Sequence, residues 1–357
     1  MSDNKPVLSM KKHLVIIKKI LATLCTLVAV AVLFACTASP TKQRYEASYF
    51  DAFDTVTVVM GYAESEEAFK ENVSAAHDEL VRLHRLFDIY NDYDGINNLK
   101  TINDMAGVAP VKVDASIIDL LTQCIEMYRI TQGYTNVAMG SVLRLWHNCR
   151  ELADENPTAA SLPADSELNA AAEHCSIDNI IIDTAASTVF IADSAECIDV
   201  GAVAKGYAAQ KAAELLPSGY LLDAGGNVCA VGTKPDGESW SVGVRDPFSS
   251  QGDYLLALGV CDVSVVTSGS YERYYTVDGH RYGHIINPDT LYPSELYEQV
   301  TVVSQNGALA DALSTALFCM PLEEGQKLIS SLDGVEAMWV QTDKSETFSD
   351  GFKDYIK

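Results

Sequence analysis

The stretch VTVVSQNGALADALSTALFCM, residues 300–320, decides the fold class. VTVVS reads as a strand, and ALADALSTALFCM as a buried helix rich in Ala, Leu and Phe. VEAMWVQTD then supplies a last strand. Working outward, FDTVTVVMGY (53–62) alternates like a strand. EEAFKENVSAAHDELVRLHRLFDIY (66–90) carries one apolar stripe of Phe69, Val73, Ala76, Leu80, Leu83 and Phe87 at helical steps. SIIDLLTQCIEMYRITQG (116–133) predicts a second helix, with Asp114 or Ser116 as N-cap and Gly133 as the stop. ENPTAASLPADSELNAAAEHC (155–175) is a surface excursion that turns into a helix. IDNIIIDTAASTVFIAD (177–193) predicts a β-hairpin. AVAKGYAAQKAAELL is a helix, and GYLLDAGGNVCAVGT a strand with a Gly-Gly break. SWSVGVRDP, YLLALGVCD and VSVVTSGSYERYYTVDGHRYGHIINP are further strands. Strands and helices mix without regular βαβ alternation, which predicts an α+β fold rather than a doubly wound sheet.

The N-terminus speaks to compartment. Lys11, Lys12, Lys18 and Lys19 precede the apolar run ILATLCTLVAVAVLFA (20–35), which ends at Cys36. A basic segment, an apolar segment and LFAC together are similar to a bacterial lipoprotein signal, giving a signal peptide over 1–35 and a lipidated Cys36. The other reading is an uncleaved N-terminal anchor; both put the remaining chain outside the cytoplasmic membrane. A polar tether over 36–48 and one functional domain over 49–357 complete this division. Without residues 1–35 the chain holds 20 basic and 48 acidic residues, a formal charge of −28. Such a surface repels nucleic acid, and an anionic ligand needs local cations or backbone N–H groups. The cysteines after Cys36 contain no CxxC pair and number seven, so they describe neither a zinc site nor a disulfide framework.

Three stretches can carry chemistry. In CIDVGAVAKGYAAQ (197–210) a strand ends at Asp199, small residues turn the chain, and a helix starts beside Lys205; free N–H groups there suit phosphate. A plain strand–turn–helix with Lys205 in solvent is the bland alternative. In SVVTSGSYERYYTVDGHRYGHIINPDTLYP (264–293), hydroxyls and aromatics crowd a glycine, and His284 precedes Ile285, Ile286 and a turn. A lone His is more often structural than catalytic. In the opening stretch, Asp311 and Thr315 are four apart and share one helix face. A carboxylate and a hydroxyl there could hold a hard cation such as Mg²⁺, or Asp311 could cap the helix.

In this order, IDVGAVAKGYA, DAGGNV, VVTSGSYERYY, HIINPDT and ADALSTALF resemble the ApbE family, the FAD:protein FMN transferases. The resemblance runs from about Phe53 to the C-terminal strand and implies a T-fold-like arrangement of mixed sheets packed with helices. It implies Mg²⁺-dependent cleavage of the FAD pyrophosphate, with FMN passed to a Thr or Ser hydroxyl of an acceptor flavoprotein and AMP released. The metal ligands it implies are Asp311, Thr315 and the backbone carbonyl of Ala202. Asp199, Lys205 and Ser268 would lie against FAD, as would the backbone of Ile286. Phe53 and Tyr90 would line the flavin site, and Thr135 and Asn136 of GYTNVAMG would meet the adenosine part. His284 is the candidate to accept the hydroxyl proton; the alternative is that it orders its loop. Three positions depart from the family pattern: Asn136 and Asn287 replace Asp, and Leu291 replaces Gly. The acceptor implied is a flavoprotein of a membrane or extracytoplasmic electron-transfer system, reached from a lipid anchor. An FAD pyrophosphatase using water and a non-catalytic flavin-binding lipoprotein are the competing readings.

Overall fold

The computed structural model describes residues 42–271 and 273–357. The predicted signal segment and Cys36 lie outside them. Described residues 43–48 are not tether, however. They open strand β1 (Gln43–Ala52), which joins β2 (Thr55–Ala63) at one edge of an eight-stranded sheet. Tyr45, Ala47 and Tyr49 alternate toward the core while Arg44, Glu46 and Ser48 face out. That is the period-two pattern of a half-buried edge strand. The strand expected over 53–62 starts two residues later, because Phe53 and Asp54 form the turn with positive φ of 56° and 49°.

The sheet continues through β6 (Tyr220–Ala224), β7 (Asn227–Val231), β10 (Ser264–Gly269), β13 (Tyr297–Ser304), β14 (Val335–Gln341) and β15 (Glu346–Phe348). From β2 onward every neighbouring pair is antiparallel. Gly225 and Gly226, both at positive φ, turn β6 into β7, so the Gly-Gly break is a hairpin. Three smaller sheets stand apart. β3 (Val111–Lys112), β5 (Thr188–Ile191) and β4 (Ile180–Asp183) form one. The hairpins β8 (Trp240–Arg245) with β9 (Tyr254–Val260) and β11 (Tyr274–Val277) with β12 (His280–Gly283) form the others. The architecture is α+β, as the irregular order of elements predicts.

Eight α-helices are present among the described residues, and several of them cover one face of the large sheet. α1 (Glu66–Phe87), α2 (Leu99–Asp104), α3 (Ala115–Ile130), α4 (Gly140–Glu155), α5 (Asp165–Ala172), α6 (Ala204–Ala213), α7 (Gly307–Cys319) and α8 (Leu322–Ser330) follow in chain order. The stripe read along α1 is buried as expected, and Asp114 caps α3 by accepting the Ser116 N–H. α6 packs on Leu222, Ala224 and Cys229 of the sheet. Leu313, Ala316 and Leu317 of α7 pack on Val266, Val300 and Val302. The opposite face, with Leu221, Val265 and Val303, is covered by Trp240, Val242 and Leu258 of the β8–β9 hairpin and by Phe352. α7 is buried nearly all round, which its Ala-rich composition permits and a charged face would forbid.

Candidate active site

α6 and α7 meet at two glycines. A Cβ on Gly206 would stand 2.3 Å from the Gly307 carbonyl oxygen and 2.6 Å from Asp311 Cβ. With no side chain in the way, the Gly206 N–H donates to Asp311 Oδ2 at 2.8 Å. Lys205 Nζ lies 3.8 Å from Oδ1 of the same carboxylate. Asp311 is only 3% exposed, and burial raises its pKa above the usual carboxylate value against the opposing pull of Lys205 and the Gly206 N–H. The capping alternative fails: the N-cap of α7 is Asn306, which accepts the Leu309 N–H, and Asp311 lies more than one turn inside. Thr315 follows one turn on. Ser314 turns away, its Oγ donating to the Asp311 carbonyl at 2.9 Å. With its proton spent, it accepts from Ser268 Oγ at 2.8 Å.

The strand expected to end at Asp199 does not form. Cys197 makes a single parallel bridge to Met139, and the segment is held by other means. The Asn103 side chain grips both polar groups of the Ile198 backbone, donating to its carbonyl at 2.9 Å and accepting its N–H at 2.8 Å. The Asp199 N–H donates to the Val137 carbonyl. Asp199 Oδ1 accepts the Gly201 N–H at 2.8 Å, and burial raises this carboxyl too. α6 then starts at Ala204 with no side-chain cap on its N-terminus.

The HIINPDT turn is tied down on several sides. His284 Nδ1 lies 3.1 Å from the Arg273 carbonyl, so Nδ1 carries the proton and Nε2 the lone pair. The ring is open to the cavity rather than packed. Its enclosure by surrounding protein, with Lys205, Arg273 and Arg150 adding positive charge, lowers its pKa to about 4. Asn287 donates to the Cys319 carbonyl, Tyr134 Oη to Asp289, and Trp146 Nε1 to the Leu291 carbonyl. Leu291 sits at φ +62°, a left-handed conformation that explains why glycine suits this position. Asn136 uses its amide fully: Oδ1 accepts the Ala138 N–H, and Nδ2 donates to the Cys175 carbonyl at 2.9 Å. An Asp could not make that second bond. Thr135 donates to the Ala312 carbonyl at 2.6 Å, so its hydroxyl is committed to the scaffold.

At the other end, the Phe53 N–H donates to His84 Nδ1. Asp88 shapes the loop that carries Tyr90, accepting from the Tyr90 and Asn91 N–H groups, Asn91 Nδ2 and Tyr93 Oη. Burial pushes the Asp88 carboxyl up, but these bonds outweigh it and the pKa is lowered.

These parts surround one cavity of about 760 Å³. Phe53, Tyr90, Thr135, Asn136, Asp199, Ala202, Lys205, Ser268, His284, Ile286, Asp311 and Thr315 all line it, bringing together residues from positions 53 to 315 of the chain. Of the site residues read from sequence, only Cys36 lies outside the described residues. The cavity also contains residues that the sequence reading passed over. Trp146, His147 and Arg150 come from α4, a helix it did not find. Asp223 accepts the Gly226 N–H at 2.8 Å within the DAGGNV motif, where no single residue had been chosen. Arg245 and Arg273 add positive charge.

Among the described residues no group of three or more His, Cys, Asp or Glu is placed to hold a metal. The oxygens of Asp311, Thr315 and Ala202 fit a hard cation that takes its remaining ligands from water and phosphate.

The sequence model of the ApbE family matches residues 50–339. A Treponema pallidum FAD:protein FMN transferase is 34% identical over 277 residues, covering 72% of this chain and 75% of the relative. A Klebsiella pneumoniae protein of the same name is 30% identical, covering 74% and 83%. The crystal structure of the Thermotoga maritima ApbE protein superposes with a TM-score of 0.78 at 28% identity, covering 88% of this chain and all of that one. The Vibrio cholerae flavin transferase ApbE shares the fold, with a TM-score of 0.73 at 22% identity. Taken with the ordered motifs gathered around one cavity, the match over residues 50–339 means that this chain belongs to the ApbE family.

Proposed function

We propose that the chain is a Mg²⁺-dependent FAD:protein FMN transferase. The observation that carries this reading is Asp311, nearly buried yet lining the cavity with Thr315, Asp199 and Lys205, within a family whose relatives are named FAD:protein FMN transferase. The acceptor hydroxyl oxygen bonds to the phosphorus that belongs to FMN. The bond from that phosphorus to the bridging oxygen breaks, and AMP leaves. The hydroxyl proton passes to Nε2 of His284, whose tautomer the Arg273 carbonyl fixes. No nucleophile is needed from this chain, because the acceptor supplies it. The enzyme's work is to position the groups and neutralise charge.

Asp311, Thr315 and the Ala202 carbonyl would hold Mg²⁺, which when bound supplies positive charge against the pyrophosphate. Lys205 adds a second positive charge from the same side. Phe53 and Tyr90 offer aromatic surface for the flavin ring. We also infer a location outside the cytoplasmic membrane, lipid-anchored at Cys36, with an acceptor flavoprotein of a membrane or extracytoplasmic electron-transfer system. This inference rests on residues 11–36. Mass spectrometry of the mature N-terminus tests the anchor: a peptide beginning at unmodified Met1 overturns it.

The decisive assay mixes the purified chain with FAD, Mg²⁺ and candidate acceptor proteins and looks for a covalently fluorescent acceptor. AMP released with FMN at an equal rate without acceptor would replace transfer with hydrolysis. Tight FAD binding with no AMP at all would leave only a flavin binder.

A further inference from the structure

The cavity lining includes two arginines whose guanidinium groups the FAD reaction does not account for. Arg245 ends β8 with its guanidinium over the Tyr271 ring, 5.4 Å from the centroid. Arg273 follows two residues after Tyr271 and donates to the Asp54 backbone carbonyl, at 3.3 Å. Both are exposed, both line the cavity, and neither is in an ion pair among the described residues. Their neighbour Arg281 shows the contrast: it is neutralised by Glu298 at 3.3 Å. In a mature chain with 48 acidic and 20 basic residues, two exposed arginines lining one cavity with no ion pair among the described residues form a local positive patch. The Arg273 carbonyl also holds His284, so this rim adjoins the imidazole proposed to receive the hydroxyl proton.

We propose that Arg245 and Arg273 dock the acceptor by engaging carboxylates that flank its reactive Thr or Ser, a step that rests on the transferase reading above. The geometry suits it. A guanidinium presents paired donors that match a carboxylate, and the two stand beside an aromatic platform at the cavity mouth. The strongly negative surface elsewhere repels an acidic segment and steers it to this rim. FAD is served from deeper in the cavity by Lys205 and the Asp311 site, which leaves the rim to the second substrate.

The test uses the full chain in detergent and two labelled peptides, each with one Thr, flanked in one case by aspartates and in the other by lysines. Fluorescence anisotropy reads their binding. The aspartate peptide should bind and the lysine peptide should not, and affinity should fall steeply from about 0.05 M to about 0.3 M salt. In the double variant Arg245→Glu, Arg273→Glu, affinity for the aspartate peptide should fall at least about tenfold, while FAD affinity falls less than about threefold. The variant Arg245→Lys, Arg273→Lys keeps the charge and should retain binding within about threefold, which separates charge from folding. Equal binding of the two peptides, or no loss in the Glu variant, overturns the proposal. So does an equal loss of FAD affinity, which would give the arginines to FAD. FMN transfer by the wild-type chain is read separately. If it fails, the transferase reading falls on its own; if it succeeds while the peptide result fails, only the docking rim is lost.

Discussion

At Asp311 burial and charge conflict directly. A carboxylate that is 3% exposed, with one backbone N–H and a lysine at 3.8 Å, is under-compensated. That imbalance is what a cation would relieve. Asp311→Ala should therefore lower AMP release by at least about a hundredfold, on the scale of losing a key electrostatic group, while the fold survives because an unpaired buried charge has been removed. Coupled measurement of AMP release and circular dichroism checks both halves; full activity would remove the metal assignment. His284 makes a second prediction. Its pKa near 4 keeps it neutral from pH 5 to 8, so the transfer rate should stay flat there as far as this group is concerned. The rate should drop as pH falls toward 4 and the imidazole takes a proton. His284→Ala should slow transfer more than it weakens FAD binding, in a comparison of transfer rate with FAD titration. Equal loss of both would make it a binding residue.

At the scale of elements, the α6–α7 crossing sets the site. Gly206→Ala forces a methyl into the Gly307 carbonyl and Asp311 Cβ, so the helices must separate. Overpacking of this kind costs about 1–3 kcal/mol, and it moves the Gly206 N–H away from Asp311. Denaturant titration should show the stability loss, and AMP release should fall with it; an unaltered midpoint would mean that the crossing is looser than described. This crossing was legible in part. Asp311 and Thr315 announced themselves by spacing, but the partner of Asp311, a backbone N–H on another helix, has no signature in the sequence. α4 was illegible for a similar reason. Its N-cap Met139 offers no side-chain oxygen, and Gly140 starts the helix because its N–H donates to the Cys197 carbonyl, against which a Cβ would stand 2.4 Å away. The start signal is thus tertiary, and His147 and Arg150 stayed hidden with it. Cys197–Asp199 failed in the opposite direction. Its apolar–polar alternation suits a strand, yet Asn103 takes the Ile198 backbone groups that a neighbouring strand would have used. Edge strand β1 was hidden by its polar outer face.

Across the whole molecule, one sheet brings residues from opposite ends of the chain to one cavity while the surface stays strongly acidic. The formal charge of −28 after residue 35 works against compaction. Against it stand ion pairs that lie almost entirely at the surface, such as Lys70–Glu66, Arg82–Glu79 and Lys100–Asp104. Exposed pairs of this kind contribute little and are themselves weakened by salt. The two effects of salt therefore oppose each other. Repulsion among 48 acidic residues acts over about a Debye length and involves many more charge pairs than the few short contacts do. Screening should favour the folded state on balance. Raising the salt from about 0.01 M to about 0.3 M shortens that length from about 30 Å to under 10 Å, so most of the repulsion is lost. Melting temperature should rise by a few degrees, about 2 °C for each kcal/mol gained in a chain of this size. Scanning calorimetry of residues 36–357 without FAD or Mg²⁺ isolates this term from ligand binding. A fall in melting temperature over the same range would mean that the surface pairs, not the net charge, dominate. The same screening should weaken capture of an acidic partner at the Arg245–Arg273 rim, so salt should stabilise the fold and loosen docking together.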